Sequence, residues 1–225
     1  FLNSVLVTFM GTALGIMVTV LLAYTISRKE LVGRKLIMLF VFFTMLFNGG
    51  LVPTYLMYVN YFHIKNTIWA LIIPNLLLSA NNVLMIRSYF MTSIPEALYE
   101  AAKIDGAGQL RIFAQIILPI SKPIIATIAL FAAFGYWNDW FQASLYISDK
   151  NLQTLQSMLN NIQNNIEYIA NNPYGGLSLQ QYKASMPTES VRMAIAIIIV
   201  VPIACVYPFF QKYFISGLTI GSVKG

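Results

Sequence analysis

Four charged side chains lie close together near the middle of the chain, within residues 100–111. Carboxylates, an ammonium and a guanidinium at this spacing suit either acid–base chemistry or charged contact with a partner. No nucleophile stands beside a base, which is the arrangement that covalent catalysis requires. Contact with another protein is therefore the better interpretation, and an intramembrane hydrolase is disfavoured for lack of a site. The four residues are Glu100, Lys103, Asp105 and Arg111.

Other reactive side chains are sparse. His63 is the single histidine and has no second ligand nearby, so no metal site is expected. Cys205 is the single cysteine and lies in an apolar run, which predicts a small buried residue without a disulfide. No glycine-rich loop ends in Gly-Lys-Ser or Gly-Lys-Thr, so the chain has no nucleotide-binding motif of its own.

A short helix is predicted to carry the charged stretch. Ser93 and Glu96 have the spacing of a capping box, and Gly106 suits the positive φ of a helix end. The helix has about 12 residues, too few to cross a bilayer. Ala101 and Ala102 offer a flat patch on which another protein can seat closely. An ordinary connection between spans is the alternative.

Composition indicates an integral membrane protein. The 225 residues are 58% hydrophobic and only 10% charged, whereas soluble domains carry about 25% charged residues. The net charge of +6 is attributed to membrane topology and not to nucleic-acid binding.

Five apolar stretches are long enough to cross a bilayer, and together they predict an all-α membrane protein. The chain forms one transmembrane domain, residues 1–225, and a further span is expected to precede Phe1. The predicted spans are residues 2–26, 36–59, 67–89, 119–137 and 191–214.

Basic residues orient these spans. If the turn after the first span is cytoplasmic, ten Lys and Arg residues lie inside and four outside, which agrees with the positive-inside rule. Residues 93–119 and the C-terminus are then cytoplasmic, and residues 138–190 form an outer loop. Within this loop, apolar residues at helical spacing predict one amphipathic helix, which ends at Pro173. They are Leu152, Leu155, Met158, Leu159, Ile162, Ile166 and Ile169.

The spacing around the charged helix is that of a known motif. Glu100-Ala101-Ala102 is followed after three residues by Gly106, then by Ile116 and by Leu118-Pro119. This pattern resembles the cytoplasmic EAA loop of permease subunits in binding-protein-dependent ABC importers, and Asp105, Ala107 and Phe113 fit its extended form. The N-terminal stretch and the tail GLTIGSVKG are similar to the maltose-type second-subunit group. FNGGLVPTYL, NTIWALIIPNL and LPISKPIIATIALF resemble the branch linked to complex polysaccharide or oligosaccharide uptake.

The resemblance implies a type I ABC importer transmembrane domain in a bacterial cell membrane. The expected partners are a second permease of a different sequence, two ATPase subunits, an extracellular solute-binding lipoprotein, membrane lipid and a carbohydrate, with no nucleic acid. No cofactor is expected on this chain, because ATP and Mg²⁺ are used by the ATPase. The resemblance assigns contact with the ATPase to Glu100, Ala101, Ala102, Asp105 and Gly106, with Asp105 bracing the turn.

The substrate pathway is less defined. Asn75, Asn81 and Asn82 lie inside a predicted span, where polar residues line pathways or join helices by hydrogen bonds. Trp137, Asn138 and Asp139 combine aromatic, amide and carboxylate groups that suit a sugar, although aromatic residues are also enriched at membrane interfaces.

Three functions stay open on the sequence. A carbohydrate permease is favoured. A permease for another cargo, such as peptides, is the first alternative, and a stand-alone channel or structural membrane protein is the second. In each case the chain is a transport or structural subunit and not an enzyme.

Overall fold

The fold is described from a computed structural model, which covers residues 1–74, 77–171, 193–206 and 208, with side chains omitted at 169–171. These residues form helices and no strand. The helices are α1 Leu2–Ser27, α2 Arg34–Leu46, α3 Leu51–Leu56, α4 Trp69–Ile72, α5 Ala80–Thr92, α6 Glu96–Ile104, α7 Gln109–Ile112, α8 Leu118–Ile120, α9 Lys122–Asn138, α10 Phe141–Tyr146, α11 Leu155–Asn171 and α12 Met193–Val206. Short π-helical turns, Met57–Tyr61 and Phe113–Ile117, extend α3 and join α7 to α8.

The central element is α1. Its 26 residues carry no charge and make it about 39 Å long at 1.5 Å per residue. It packs along α9 and α5. The approach to α9 is close at Gly11, where a Cβ atom would lie 2.5 Å from the Tyr136 ring. A side chain at position 11 would therefore require the buried Tyr136 ring, or the helices themselves, to shift.

Membrane-crossing length is reached by α1 alone among the single described helices. Two bent pairs reach it when each pair is counted as one span: α2 with α3 and its π-turn, bent by 116°, and the Gln109–Ile120 segment with α9, bent by 79°. The count of five spans stays a prediction. Its third span is divided here between α4 and α5, and its fifth is described only as α12, residues Met193–Val206.

Buried side chains form separate clusters at the two ends of α1. The C-terminal half of α1 meets α5, α6 and α7 in a cluster that includes Tyr24, Phe90, Tyr99 and Phe113. The N-terminal half meets α4, α9 and α10 around Tyr136 and Tyr146. The helix that carries the charged stretch is thus packed against one end of α1, the longest helix among the described residues.

The predicted amphipathic helix is present as α11, which begins at Leu155. Leu152 belongs instead to a preceding 3₁₀ turn, since Asp149 accepts a hydrogen bond from the Asn151 amide and starts that turn. Ile162 is buried against Trp137 and the α12 residues Ile195 and Ile199. The apolar face of α11 therefore packs on its own chain, while Pro173 lies outside the described residues.

Cys205 corrects another prediction. The thiol was expected to be buried, but it is exposed on α12. The reason is that α12 buries one side only, through Ile195 and Ile199, and leaves Ile197, Ile198, Val200 and Val201 exposed.

Candidate coupling site

The helix α6 begins at Glu96, with Pro95 as its N-cap, and has 9 residues. The predicted capping box is wrong, because no side chain caps this helix. Ser93 instead follows the end of α5. The Glu96 carboxylate instead accepts a hydrogen bond from Lys29, at 2.6 Å.

The end of α6 is a Schellman motif. Gly106 has φ +74°, as the prediction of a positive φ required. Its amide donates to the Lys103 carbonyl at 3.0 Å, and the Ala107 amide donates to the Ala102 carbonyl at 2.9 Å. These two bonds satisfy carbonyls that a helix end otherwise leaves free. Bracing of the turn therefore comes from the backbone, since the Asp105 side chain is exposed and makes no hydrogen bond to the described residues.

One face of α6 is anchored in the protein. Tyr99 and Ala102 are 5% and 6% exposed and belong to the buried cluster with Ile94, Ile112 and Phe113. Ala107, just past the turn, packs on the same cluster. Of the two alanines predicted to form an outward patch, only Ala101 is exposed. The correction follows from helix geometry, because adjacent residues point about 100° apart.

The opposite face of α6 is uncovered. Glu100, Ala101 and Asp105 are exposed there, and Ile104 is 86% exposed. Leu110, at the start of the next segment, is 80% exposed. Large apolar side chains with charged neighbours at this level of exposure are typical of a protein-binding surface.

A second element contacts α6 next to its buried face. The turn between α1 and α2, residues 28–33, supplies three successive side chains to it. Lys29 pairs with Glu96 at 2.6 Å, and Lys103 pairs with Glu30. Between these ion pairs, the Arg28 guanidinium lies over the Tyr99 ring, 3.8 Å from its centroid. We call these six side chains the turn clamp.

Contacts within the turn clamp shift the pKa values of its ionisable groups. A hydrogen bond from Lys103 lowers the pKa of the Glu30 carboxyl, and one from Lys29 lowers that of Glu96. Burial raises the pKa of the Tyr99 hydroxyl, and the guanidinium of Arg28 opposes that rise. The carboxylates of Glu30 and Glu96 are therefore ionised at neutral pH.

The segment after α6 is held to α1 as well. The Tyr24 hydroxyl donates to Gln109 Oε1 at 3.1 Å. The Tyr24 ring lies 4.8 Å from that of Phe113 and 6.2 Å from that of Phe90, centroid to centroid. The last turn of α1 thus contacts α5, α7 and the π-helical turn after α7.

The aromatic and polar cluster at the far end of α9 is largely engaged within the chain. Trp137 is 8% exposed, and its indole N–H donates to the Ile199 carbonyl at 3.0 Å. Asp139 accepts from the amides of Phe141 and Gln142 at the start of α10. Asn138 is exposed, and its side-chain oxygen Oδ1 accepts a hydrogen bond from Nε2 of Gln156 on α11.

Two asparagines of the predicted third span, Asn81 and Asn82, lie at the start of α5. Asn81 is exposed and Asn82 half-buried, while Asn75 lies outside the described residues. Asn81 and Asn82 are separated along the chain from the cluster at Trp137. Within the described part, no three His, Cys, Asp or Glu side chains stand close enough to hold a metal ion.

Sequence reasoning missed the turn clamp. A signal was present, because Glu96, Tyr99 and Lys103 follow the i, i+3, i+7 spacing of one helix face. Arg28, Lys29 and Glu30 offer the complementary groups in a single turn. The two sets are separated by about 70 positions, however, and no local pattern pairs residues at that distance.

Comparison with known proteins gives a match over nearly the whole chain. The model of the family described as "Binding-protein-dependent transport system inner membrane component" matches residues 5–220. The "Polygalacturonan/rhamnogalacturonan transport system permease protein YtcP" of Bacillus subtilis is 40% identical over 224 residues, which are 100% of this chain and 76% of that protein. "Protein LplC" of the same organism is 41% identical over 222 residues, 99% of this chain and 72% of the relative.

A solved structure is similar as well. It is described as "Crystal structure of a bacterial ABC transporter involved in the import of the acidic polysaccharide alginate". The matching chain is 28% identical and superimposes with a TM-score of 0.79, covering 95% of this chain and 74% of that one.

Proposed function

We propose a function from the premise that the chain belongs to the family of binding-protein-dependent transport system inner membrane components. The predicted family and the all-α fold of a type I ABC importer are confirmed by this match and by the similar structure. The chain is accordingly a membrane permease subunit that works with other subunits. On this basis we propose that α6 is the coupling helix, which receives the movement of an ATPase subunit.

The observation that carries this proposal is the two-sided character of α6. Its inner face is fixed by Tyr99 and Ala102, and its outer face presents Ala101 and the 86% exposed Ile104. A helix fixed on one side and apolar on the other can bury surface against a partner while passing on rigid-body displacement. Glu100 and Asp105 flank the outer face, where they supply charged contacts that fix the partner's orientation.

The cargo we propose is a carbohydrate, an oligosaccharide or a complex glycan. The relative at 40% identity bears the name of polygalacturonan and rhamnogalacturonan transport, and the similar structure that of alginate import. A peptide cargo is the alternative and has no such support. A stand-alone channel is disfavoured, since the family consists of components of binding-protein-dependent systems.

The remaining parts of the proposal concern partners and orientation. A second, different permease completes the pathway, an extracellular lipoprotein delivers the glycan, and two ATPase subunits hydrolyse ATP with Mg²⁺. The face with α6 and the C-terminus is cytoplasmic, in keeping with the distribution of basic residues. Asn81 and Asn82 are candidates to contact the glycan. Trp137, Asn138 and Asp139 are weaker candidates, because their polar groups already bond within the chain.

The proposal is tested by copurification of the ATPase with the chain and its partner permease. Ala101→Trp and Glu100→Lys are expected to reduce the ATPase recovered, without reducing insertion of the permease. Leu39→Trp is the matched control, because Leu39 is a 64% exposed apolar residue on α2, away from α6. Undiminished ATPase recovery with both α6 variants would reject the role of this face.

The cargo is tested separately, on the purified solute-binding protein. Galacturonate oligosaccharides, neutral oligosaccharides and a peptide mixture are titrated in parallel. Binding of either sugar class supports the carbohydrate assignment, and binding of peptides alone refutes it.

A further inference from the structure

We infer that the turn between α1 and α2 holds the coupling helix in a fixed position on α1. Its residues Arg28, Lys29 and Glu30 link α6 to α1, so that the two helices move as one body. The inference rests on the proposed role of α6. It assigns positioning residues outside the EAA loop, on an element that the sequence presented only as the end of a span.

The first step is the match between the two elements. Glu96, Tyr99 and Lys103 occupy one face of α6 over two turns, and each has its own partner in the turn. The charges are complementary, since Glu96 at the start of α6 pairs with a lysine of the turn and Lys103 near its end pairs with a glutamate. A slip of α6 by one helical turn, about 5.4 Å, would break both ion pairs. The arrangement therefore sets one register between turn and helix.

The second step is the route into the bundle. Arg28 directly follows Ser27, the last residue of α1, so force on the turn acts on a 26-residue helix that packs along α9 and α5. Tyr24, one turn earlier in α1, holds the segment after α6 through Gln109 and Phe113. The clamp and the tyrosine contact together connect both ends of the coupling segment to α1.

The third step is the distinction between stability and transmission. The side chains of Glu30 and Glu96 are 57% and 61% exposed, and exposed ion pairs contribute little to folding stability. The Arg28 side chain, only 16% exposed, adds a cation–π contact that is less open to solvent. Loss of one ion pair should therefore leave the fold intact and loosen the orientation of α6 relative to α1.

The experiment measures that orientation in the assembled importer, with its partner permease and ATPase subunits, in lipid nanodiscs. Spin labels are placed at Ala97→Cys on α6 and Phe9→Cys on α1, both exposed positions, in a Cys205→Ser background. The distance distribution is recorded without nucleotide and with Mg-ATP. In the wild-type clamp it should stay narrow and keep its mean in both states, since the labels move together.

Charge reversal supplies the test. Lys29→Glu and Glu96→Lys, each alone, should broaden the distribution and make its mean respond to Mg-ATP, and the double variant should restore the narrow distribution. Lys29→Gln removes the ion pair with Glu96 without adding a repulsive charge. It therefore serves as a check that the charge-reversal variants are not simply misfolded. Lys35→Glu is the matched control, because Lys35 is exposed, lies six residues further on and forms no ion pair among the described residues.

Two results would overturn the inference: unchanged, narrow distributions in the single variants, or a double variant as broad as the singles. Failure of the underlying proposal gives a different result, which is undiminished ATPase recovery with both Ala101→Trp and Glu100→Lys. The two failures are therefore separable within one set of preparations.

Discussion

Replacement of Gly106 by alanine should loosen the turn that ends the coupling helix. Gly106 has φ +74°, in the left-handed region, and a Cβ atom there would meet nothing within 4 Å. The effect of the substitution is therefore purely conformational. An L-residue with a Cβ atom pays about 1–2 kcal/mol in this region, and no steric clash adds to that cost.

The free-energy cost of Gly106→Ala cannot exceed the cost of opening the turn. The alternative to strain is a backbone that leaves the left-handed region and gives up the two Schellman hydrogen bonds, from Gly106 and Ala107. Each bond contributes about 0.5–1.5 kcal/mol net, so release costs roughly as much as strain. We expect local opening of the turn to rise by about 5- to 30-fold, which corresponds to one to two kcal/mol.

Hydrogen exchange of the assembled permease is the appropriate assay, because it reports local opening without reversible unfolding of the whole chain. The Gly106→Ala variant should exchange faster at residues 106 and 107, while peptides from α1 keep their wild-type rates. Gly108→Ala is the matched control, since position 108 has φ −69° and is equally open. Gly106→Asn should be milder than alanine, because asparagine tolerates this region better.

Unchanged exchange at the turn in Gly106→Ala, or equal acceleration by Gly108→Ala, would refute the role of backbone strain at Gly106. The first result would mean that the positive φ is not maintained in the assembled protein. The second would mean that loss of any glycine in this loop, and not backbone strain, is responsible.

Three further predictions concern other parts of the molecule. Gly11→Ala should destabilise the α1–α9 contact by about 1–3 kcal/mol through overpacking on Tyr136, seen as a shorter half-life of the detergent-solubilised protein on heating; an unchanged half-life contradicts it. The ion pairs of Glu30 and Glu96 should persist above pH 4.5 and be lost as the pH falls through the lowered pKa values of the two carboxyls. The spin-label distance distribution should therefore broaden on acidification. A Glu30→Gln/Glu96→Gln variant should give a broad distribution at every pH. Trp137→Phe should destabilise the protein by about 0.5–1.5 kcal/mol, because it removes the indole hydrogen bond to the Ile199 carbonyl, which remains within helix α12; equal heat stability of variant and wild type would show that the indole bond contributes nothing.

The coupling helix illustrates how far sequence reasoning reached. Gly106 was predicted to end α6 from residue type alone, and the structure has the left-handed φ that only glycine adopts without cost. The start of the same helix was predicted wrongly. A capping box is a local pattern, and it competes here with Lys29, which lies 67 residues away in the chain.

Burial was the second limit. Ala101 and Ala102 are chemically identical neighbours in the motif, and yet one is exposed and the other packs inside. Cys205 lies in an apolar run and is nevertheless exposed. An apolar residue in a membrane protein has no preference for the protein interior over lipid, so composition does not reveal which way it faces.

The sequence by itself determined the class of the protein, because low charge, apolar stretches of spanning length and the spacing from Glu100 to Pro119 are properties of the linear chain. It also determined the helix α11, whose apolar residues recur with helical period. The tertiary structure alone decided what holds the coupling helix. Lys29, Arg28 and Glu30 meet Glu96, Tyr99 and Lys103 only because α1, α5 and α6 pack around one buried cluster. Contacts between residues so distant in sequence depend on the packing of whole helices, which no local pattern encodes.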